Sequence, residues 1–181
     1  MKKIVITGLL LVFVAAPAVA ADADGIYAGI KLGPSDVVGS TLGFGVYGGY
    51  NIDPSVTSKM TSSDFMSKVS FAGEAEYTSF GSNTRFGATY KASAIGAVVA
   101  ATYPINPQFS VIAKAGLART TTDVTCAGAG CAAFNYTTNT IGLRAGAAGQ
   151  YNLTQQIGLR AGLDFYPDGY SMISAGAVIK F

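Results

Sequence analysis

The sequence predicts an all-β chain, an eight-stranded antiparallel up-and-down transmembrane β-barrel, and three observations carry that expectation. First, the last eleven residues put Ile173, Ala175, Ala177, Ile179 and Phe181 on one wholly apolar face and Met172, Ser174, Gly176, Val178 and Lys180 on the other. A period of two is that of a strand, and an apolar face that closes on an aromatic ring suits a strand whose outer side meets lipid. Second, the chain is 50% hydrophobic, with 23 Gly, 10 Tyr and 10 Phe, yet beyond residue 20 it has no apolar run long enough for a transmembrane helix. Alternation of lipid-facing and lumen-facing residues produces that combination. Third, on six strands every charged residue but one falls on the face opposite the apolar one. A basic residue against lipid at mid-bilayer would cost about 2–4 kcal/mol.

The amino terminus sets the compartment. Met1 to Ala20 reads as a secretory signal peptide, with Lys2 and Lys3, an apolar stretch from Ile4 to Val14, and the small-residue motif Ala18-Val-Ala20. A membrane anchor is the competing reading, but the run is short and Pro17 interrupts its end. Residues 21–181 then form one barrel domain. Removing Lys2 and Lys3 leaves ten of twelve Lys+Arg against ten Asp+Glu, so no basic field invites nucleic acid.

The strands follow in order. Strand one, Gly25–Gly33, turns Ile26, Ala28, Ile30 and Leu32 one way and Tyr27, Gly29, Lys31 and Gly33 the other. Pro34–Ser40 reads as a short loop, and Thr41–Asn51 as strand two, with Leu42, Phe44, Val46, Gly48 and Tyr50 outward. Asn51–Lys68 is Ser/Thr-rich and without period, a loop of unusual length. Strand three, about Val69–Phe80, opposes Phe71, Ala75 and Tyr77 to Glu74, Glu76 and Thr78, and Gly81–Thr89 follows as a polar loop. Strand four, Tyr90–Tyr103, groups Ile95, Ala97, Val99, Ala101 and Tyr103, and Pro104–Pro107 is a tight turn. Strand five, Gln108 to about Thr121, sets Phe109, Val111, Ala113, Ala115 and Leu117 against Lys114. Thr122–Tyr136 is a loop. Strand six, Thr138–Tyr151, opposes Ile141, Leu143, Ala145, Ala147 and Tyr151 to Arg144 and Gln150. After a turn at Asn152–Thr154, strand seven, Gln155–Tyr166, opposes Ile157, Leu159, Ala161, Leu163 and Phe165 to Arg160 and Asp164. Pro167–Gly169 turns into strand eight. Arg119 alone has outward parity, near the end of strand five where the penalty fades.

Closing eight such strands leaves no edge. With both termini in the periplasm, Tyr50, Tyr103, Tyr151 and Phe181 form one lipid-facing aromatic belt, and Tyr77 and Phe165 lie toward the opposite rim. The long stretch after Asn51 becomes a periplasmic turn, an uncomfortable place for it. Cys126 and Cys131 bracket Ala-Gly-Ala-Gly and, in an exported chain, are expected to form a small loop disulfide. No His and no further Cys stand by to complete a metal site, and no cofactor is expected. A soluble barrel is the competing architecture, because periodicity alone does not tell inside from outside.

Ile26-Tyr-Ala-Gly-Ile-Lys-Leu-Gly33, Val46-Tyr-Gly-Gly-Tyr50, Tyr103-Pro-Ile105 and the ending Ile179-Lys-Phe181 resemble the transmembrane domain of the outer membrane protein A family. More broadly, they resemble the small eight-stranded surface barrels of Gram-negative bacteria. The resemblance implies a bacterial outer-membrane location and a closing strand read by the insertion machinery. It also implies a luminal salt-bridge network that blocks or gates a narrow pore. Lys31, Glu74, Lys114 and Arg160 match the family's luminal charges; Glu76, Arg144 and Asp164 share their parity. Two positions depart: the lysine expected on strand four is Ala100, and the glutamate expected on strand six is Gln150. A gate that works by swapping partners is thereby put in doubt.

Without histidine, a Ser-His triad or a His-based acid/base is impossible. Glu74 and Glu76 read as charges neutralised inside the barrel rather than as paired catalytic carboxylates, since buried ions persist when paired. The chain is not expected to be an enzyme. Gly43–Gly49 precedes no helix and is no phosphate loop; small luminal residues make room for bulky neighbours. The tyrosines read as membrane anchors rather than as a sugar platform. Three functional readings follow: a structural or surface-interaction protein of adhesin or antigen type, a narrow pore filtered by luminal charges, and a soluble ligand-binding barrel. For the first, the expected partners are outer-membrane lipid and lipopolysaccharide, periplasmic chaperones, the barrel-insertion machinery and host surface molecules, with the chain a monomer.

Overall fold

The computed structural model describes residues 25–36, 39–52, 66–85, 87–126 and 135–181. The expected signal peptide, most of the stretch after Asn51, and Cys131 lie outside them; Met66–Lys68 forms a 3-10 turn before the third strand. Eight strands, β1 (Ile26–Asp36), β2 (Ser40–Asn51), β3 (Ser70–Arg85), β4 (Ala88–Pro104), β5 (Phe109–Cys126), β6 (Tyr136–Asn152), β7 (Ile157–Phe165) and β8 (Ser171–Lys180), form a closed barrel. Each pairs antiparallel with the next, and β8 returns to β1, with Ala28 opposite Ile179 and Leu32 opposite Ala175. The expected up-and-down order is the observed one.

Alternation decides which side faces in. Leu42, Ile95, Val99, Leu117, Ile141, Leu143, Leu159 and Ile173 stand exposed on the outer surface, Leu143 at 82%. Inside, the same strands bury polar and charged residues, which inverts the soluble pattern and fits a barrel bathed in lipid. Arg119 points outward as expected and donates from Nε to Asn139 Oδ1 at 3.3 Å.

At the end bearing both termini the β4–β5 and β6–β7 turns are tight and side-chain-capped. Asn106 Oδ1 accepts the backbone N–H of Gln108 and Phe109 at 2.9 and 2.7 Å. Thr154 Oγ1 accepts those of Gln156 and Ile157 at 3.2 and 2.9 Å. Such local acceptors hold a turn without a long loop.

The opposite end corrects several boundaries. Pro34–Ser40 is not all loop: β1 runs on to Asp36 and pairs with β2 through Asp36 opposite Ser40. Pro34 has no N–H to give, and the β1–β8 ladder steps past it, from Leu32–Ala175 to Ser35–Met172. Gly81–Thr89 is likewise mostly strand, since β3 continues to Arg85 through a bulge between Ser79 and Gly81, where Gly81 has φ +86°. The loop Thr122–Tyr136 shrinks too, because β5 extends to Cys126 and β6 starts at Tyr136. Strand seven shortens to Ile157–Phe165, and Pro167–Gly169 is a 3-10 turn with Asp168 at φ +66°. The extensions of β1, β3, β4, β5 and β6 share one reason. Past the membrane a strand no longer faces lipid, so alternation disappears while the ladder continues. As a result β3 to β6 are 16, 17, 18 and 17 residues long, against about 9–11 for a membrane crossing.

Candidate functional site

The lumen gathers all seven charges that parity had placed there. Lys31, Glu74, Glu76, Lys114, Arg144 and Asp164 are buried to between 2 and 6% exposure, and the Arg160 side chain is 10% exposed. They come from β1, β3, β5, β6 and β7, so no local sequence signal brings them together; the closure of the ring does.

Two clusters result. In the one farther from the termini, Lys31 Nζ lies 2.7 Å from Glu76 Oε1 and 2.6 Å from Asp164 Oδ2. Arg144 Nη2 lies 2.7 Å from Glu76 Oε2 and 3.1 Å from Asp164 Oδ1. Two cations thus face two carboxylates in a closed square. The Tyr166 hydroxyl donates to Glu76 Oε1 at 2.6 Å and accepts from Lys31 Nζ at 2.9 Å, and Thr78 Oγ1 donates to the same carboxylate oxygen at 2.7 Å. In the cluster nearer the termini, Glu74 alone serves Lys114 Nζ at 2.7 Å and Arg160 Nη1 at 2.6 Å. The Tyr27 hydroxyl donates to Glu74 Oε1 at 2.8 Å. Gln150 Oε1 accepts from Arg160 Nε and Nη2 at 3.1 and 3.0 Å.

An apolar layer flanks each cluster. On the far side Phe80 meets Tyr166 edge-on at 4.8 Å and stacks with Tyr170 at 5.3 Å, beside Ala92, Ala94, Ala118 and Met172. On the near side Tyr27, Tyr47, Ala72, Ala100, Ile112 and Val178 pack together. Ala100, where the resemblance implied a lysine, belongs to this layer and sits opposite Lys114 in the β4–β5 register.

Strand parity placed Tyr27 on the face of Lys31, but the sequence reading gave none of the luminal tyrosines a role inside the barrel. Tyr27, Tyr47 and Tyr166 are each 5% exposed inside the barrel, so the expectation that tyrosines serve as membrane anchors is corrected for these three. Their rings carry cations: Arg160 lies 4.8 Å from the Tyr47 ring centre and Arg144 4.7 Å from that of Tyr166, distances at which cation–π attraction is felt. Glycines make room for them. A Cβ on Gly49 would stand 2.4 Å from Tyr27 Cζ, and one on Gly29 2.3 Å from Tyr47 Cζ. The parity of Tyr27 and Tyr47 with neighbouring luminal glycines was the available signal.

Of the expected outer aromatics, Tyr50 and Tyr151 are exposed and Tyr103 and Phe181 half-buried. All four stand at the end bearing the termini, where the Phe181 N–H donates to Ile26 O at 2.9 Å. Cys126 is disulfide-bonded. No group of three or more acidic, Cys or His side chains poised for a metal occurs among the described residues.

A closed eight-stranded ring with an apolar outer wall and an ion-paired lumen defines a small outer-membrane β-barrel. The chain belongs to the outer membrane protein beta-barrel domain family, whose model matches residues 6–181. Among solved structures it is similar to Neisserial surface protein A, NspA, with a TM-score of 0.58 at 20% identity over 86% of this chain and 96% of that one. It is similar also to Ail, the attachment invasion locus protein of Yersinia pestis, solved in complex with the heparin analogue sucrose octasulfate (TM-score 0.57, 13% identity, 87% and 97% covered). A third is the N-terminal β-barrel domain of Pseudomonas aeruginosa OprF, with a TM-score of 0.54, 15% identity, and 86% and 97% covered. Comparison with curated proteins finds no match.

Proposed function

We propose that the chain is a surface-interaction protein: a plugged, rigid barrel that holds the β3–β4 and β5–β6 hairpins above the outer membrane for contact with host surface molecules. The observation that carries this is the uneven wall. β3 to β6 are 16 to 18 residues long, whereas β7 and β8 are 9 and 10. One side of the barrel therefore stands several residues proud of the membrane. Its outer ends are rich in hydroxyls, with Thr121, Thr125, Thr137, Thr138 and Thr140, and the outer end of the barrel as a whole carries Arg85, Lys91 and Arg119 against Asp36, Asp123 and Asp168. That balance favours a partner recognised by hydrogen bonds over a polyanion of the kind found on Ail.

In this reading residues 1–20 are a cleaved signal peptide, periplasmic chaperones deliver the chain, and Phe181 ends the strand that the insertion machinery reads. The barrel then sits as a monomer among lipid and lipopolysaccharide, with the Cys126–Cys131 disulfide pinning the tip of the tallest hairpin. The two apolar layers and the ion pairs between them support a plugged lumen.

The test replaces Thr122–Tyr136 with a two-residue turn in cells displaying the chain and measures their attachment to cultured host cells. Attachment should fall to background while the barrel keeps its heat-modifiable gel mobility. Undiminished attachment would overturn the reading. Steady openings in a planar bilayer that change with Glu74→Gln would favour the narrow, low-conductance pore instead.

A further inference from the structure

The lumen carries more positive charge than its carboxylates balance. In the cluster farther from the termini Lys31 and Arg144 are matched by Glu76 and Asp164. In the nearer cluster Lys114 and Arg160 share Glu74 alone. Gln150 offers Arg160 a dipole but no charge, and half-buried Lys180 adds a further cation whose Nζ donates to Asn152 Oδ1 at 3.0 Å. A buried cation without its counter-charge is costly, and the cost falls on this side of the lumen alone.

The geometry there suits a ligand of opposite sign. A cavity of 10 Å³, about one water-sized sphere, is lined by Lys31, Tyr47, Lys114, Arg160, Asp164 and Ser174. Asp164, its one carboxylate, is already committed to Lys31 and Arg144. The Tyr47 hydroxyl is buried with no hydrogen-bond partner among the described residues, and Lys114 Nζ and Arg160 Cζ stand 5.1 and 4.8 Å from its ring centre. Cations and hydroxyl donors converge where no free acceptor meets them. We propose that this cavity binds a single small monovalent anion of the halide class, chloride in ordinary surroundings, held by Lys114, Arg160 and the Tyr47 hydroxyl. A water molecule would satisfy a donor but neutralise nothing, and a sulfate or phosphate exceeds the space. The site is independent of the outer hairpins and of what they contact.

The test is equilibrium urea unfolding of the refolded barrel in neutral lipid vesicles, with chloride exchanged for gluconate at constant ionic strength. Above its dissociation constant, each tenfold rise in chloride should lower the unfolding constant about tenfold. Lys114→Met removes the surplus charge and leaves Glu74 paired with Arg160, so this variant should unfold alike in both salts. Crystals grown in bromide should give an anomalous peak between Lys114, Arg160 and Tyr47. Loss of a proton by Lys114 is the rival remedy for the surplus, and it predicts equal midpoints for the unaltered chain. Equal midpoints, a map without that peak, or a Lys114→Met variant that keeps the chloride dependence would each overturn the proposal.

Discussion

The two luminal clusters are made of the same residue types and behave as opposites in construction. The square of Lys31, Arg144, Glu76 and Asp164 is neutral and redundant: each ion has two partners. The group of Lys114, Arg160 and Glu74 hangs on a single carboxylate. Redundancy matters more than the number of contacts. A buried ion pair contributes little net stability when intact, because desolvation offsets the attraction, but removing one partner strands the other. The lumen is therefore a place where the loss of one oxygen pair has very unequal consequences depending on which cluster loses it.

The largest effect belongs to Glu74→Gln. It leaves Lys114 and Arg160 with no carboxylate in contact and weakens the acceptor of the Tyr27 hydroxyl. A loss of about 3–5 kcal/mol in unfolding free energy is expected, read by urea unfolding in vesicles. A loss below about 1 kcal/mol, the scale of exposed pairs, would show that water reaches this cluster and that the comparison is drawn too sharply. Glu76→Gln should cost less, about 2–3 kcal/mol, because Asp164 still faces both Lys31 and Arg144. If the two substitutions cost the same, redundancy is not what separates the clusters.

Much of this could be read in the sequence because lipid imposes alternation. Strand count, the inward parity of Lys31, Glu74, Glu76, Lys114, Arg144, Arg160 and Asp164, and the outward place of Arg119 all followed from a period of two. What escaped had a different cause in each place. Strand ends past the membrane, such as Ala88–Thr89 and Thr122–Cys126, no longer face lipid, so polarity there looks like loop. Tyr27, Tyr47 and Tyr166 escaped because a tyrosine is amphipathic, equally at home in a headgroup belt or beside a buried ion. The partition into two clusters depends on barrel closure and on the cross-barrel reach of side chains as far apart in sequence as Arg160 and Glu74, which face each other at 2.6 Å. No window along the chain contains that.

The finest distinction lies in two tyrosine hydroxyls. That of Tyr166 is used both ways, donating to Glu76 at 2.6 Å and accepting from Lys31 at 2.9 Å. That of Tyr47 has no partner among the described residues. Replacement by Phe keeps each ring and its cation contacts, so the difference isolates the oxygen. Tyr166→Phe should cost about 1–3 kcal/mol, the penalty of leaving charged groups short of a partner. Tyr47→Phe, measured in chloride-free gluconate, should be neutral to within about 0.5 kcal/mol, because no protein hydrogen bond is lost. Thermal or urea unfolding of both variants beside the unaltered chain decides it. A Tyr47→Phe loss as large as that of Tyr166→Phe would mean that its hydroxyl has a partner even without chloride, and the contrast between a charge-balanced cluster and a deficient one would fall.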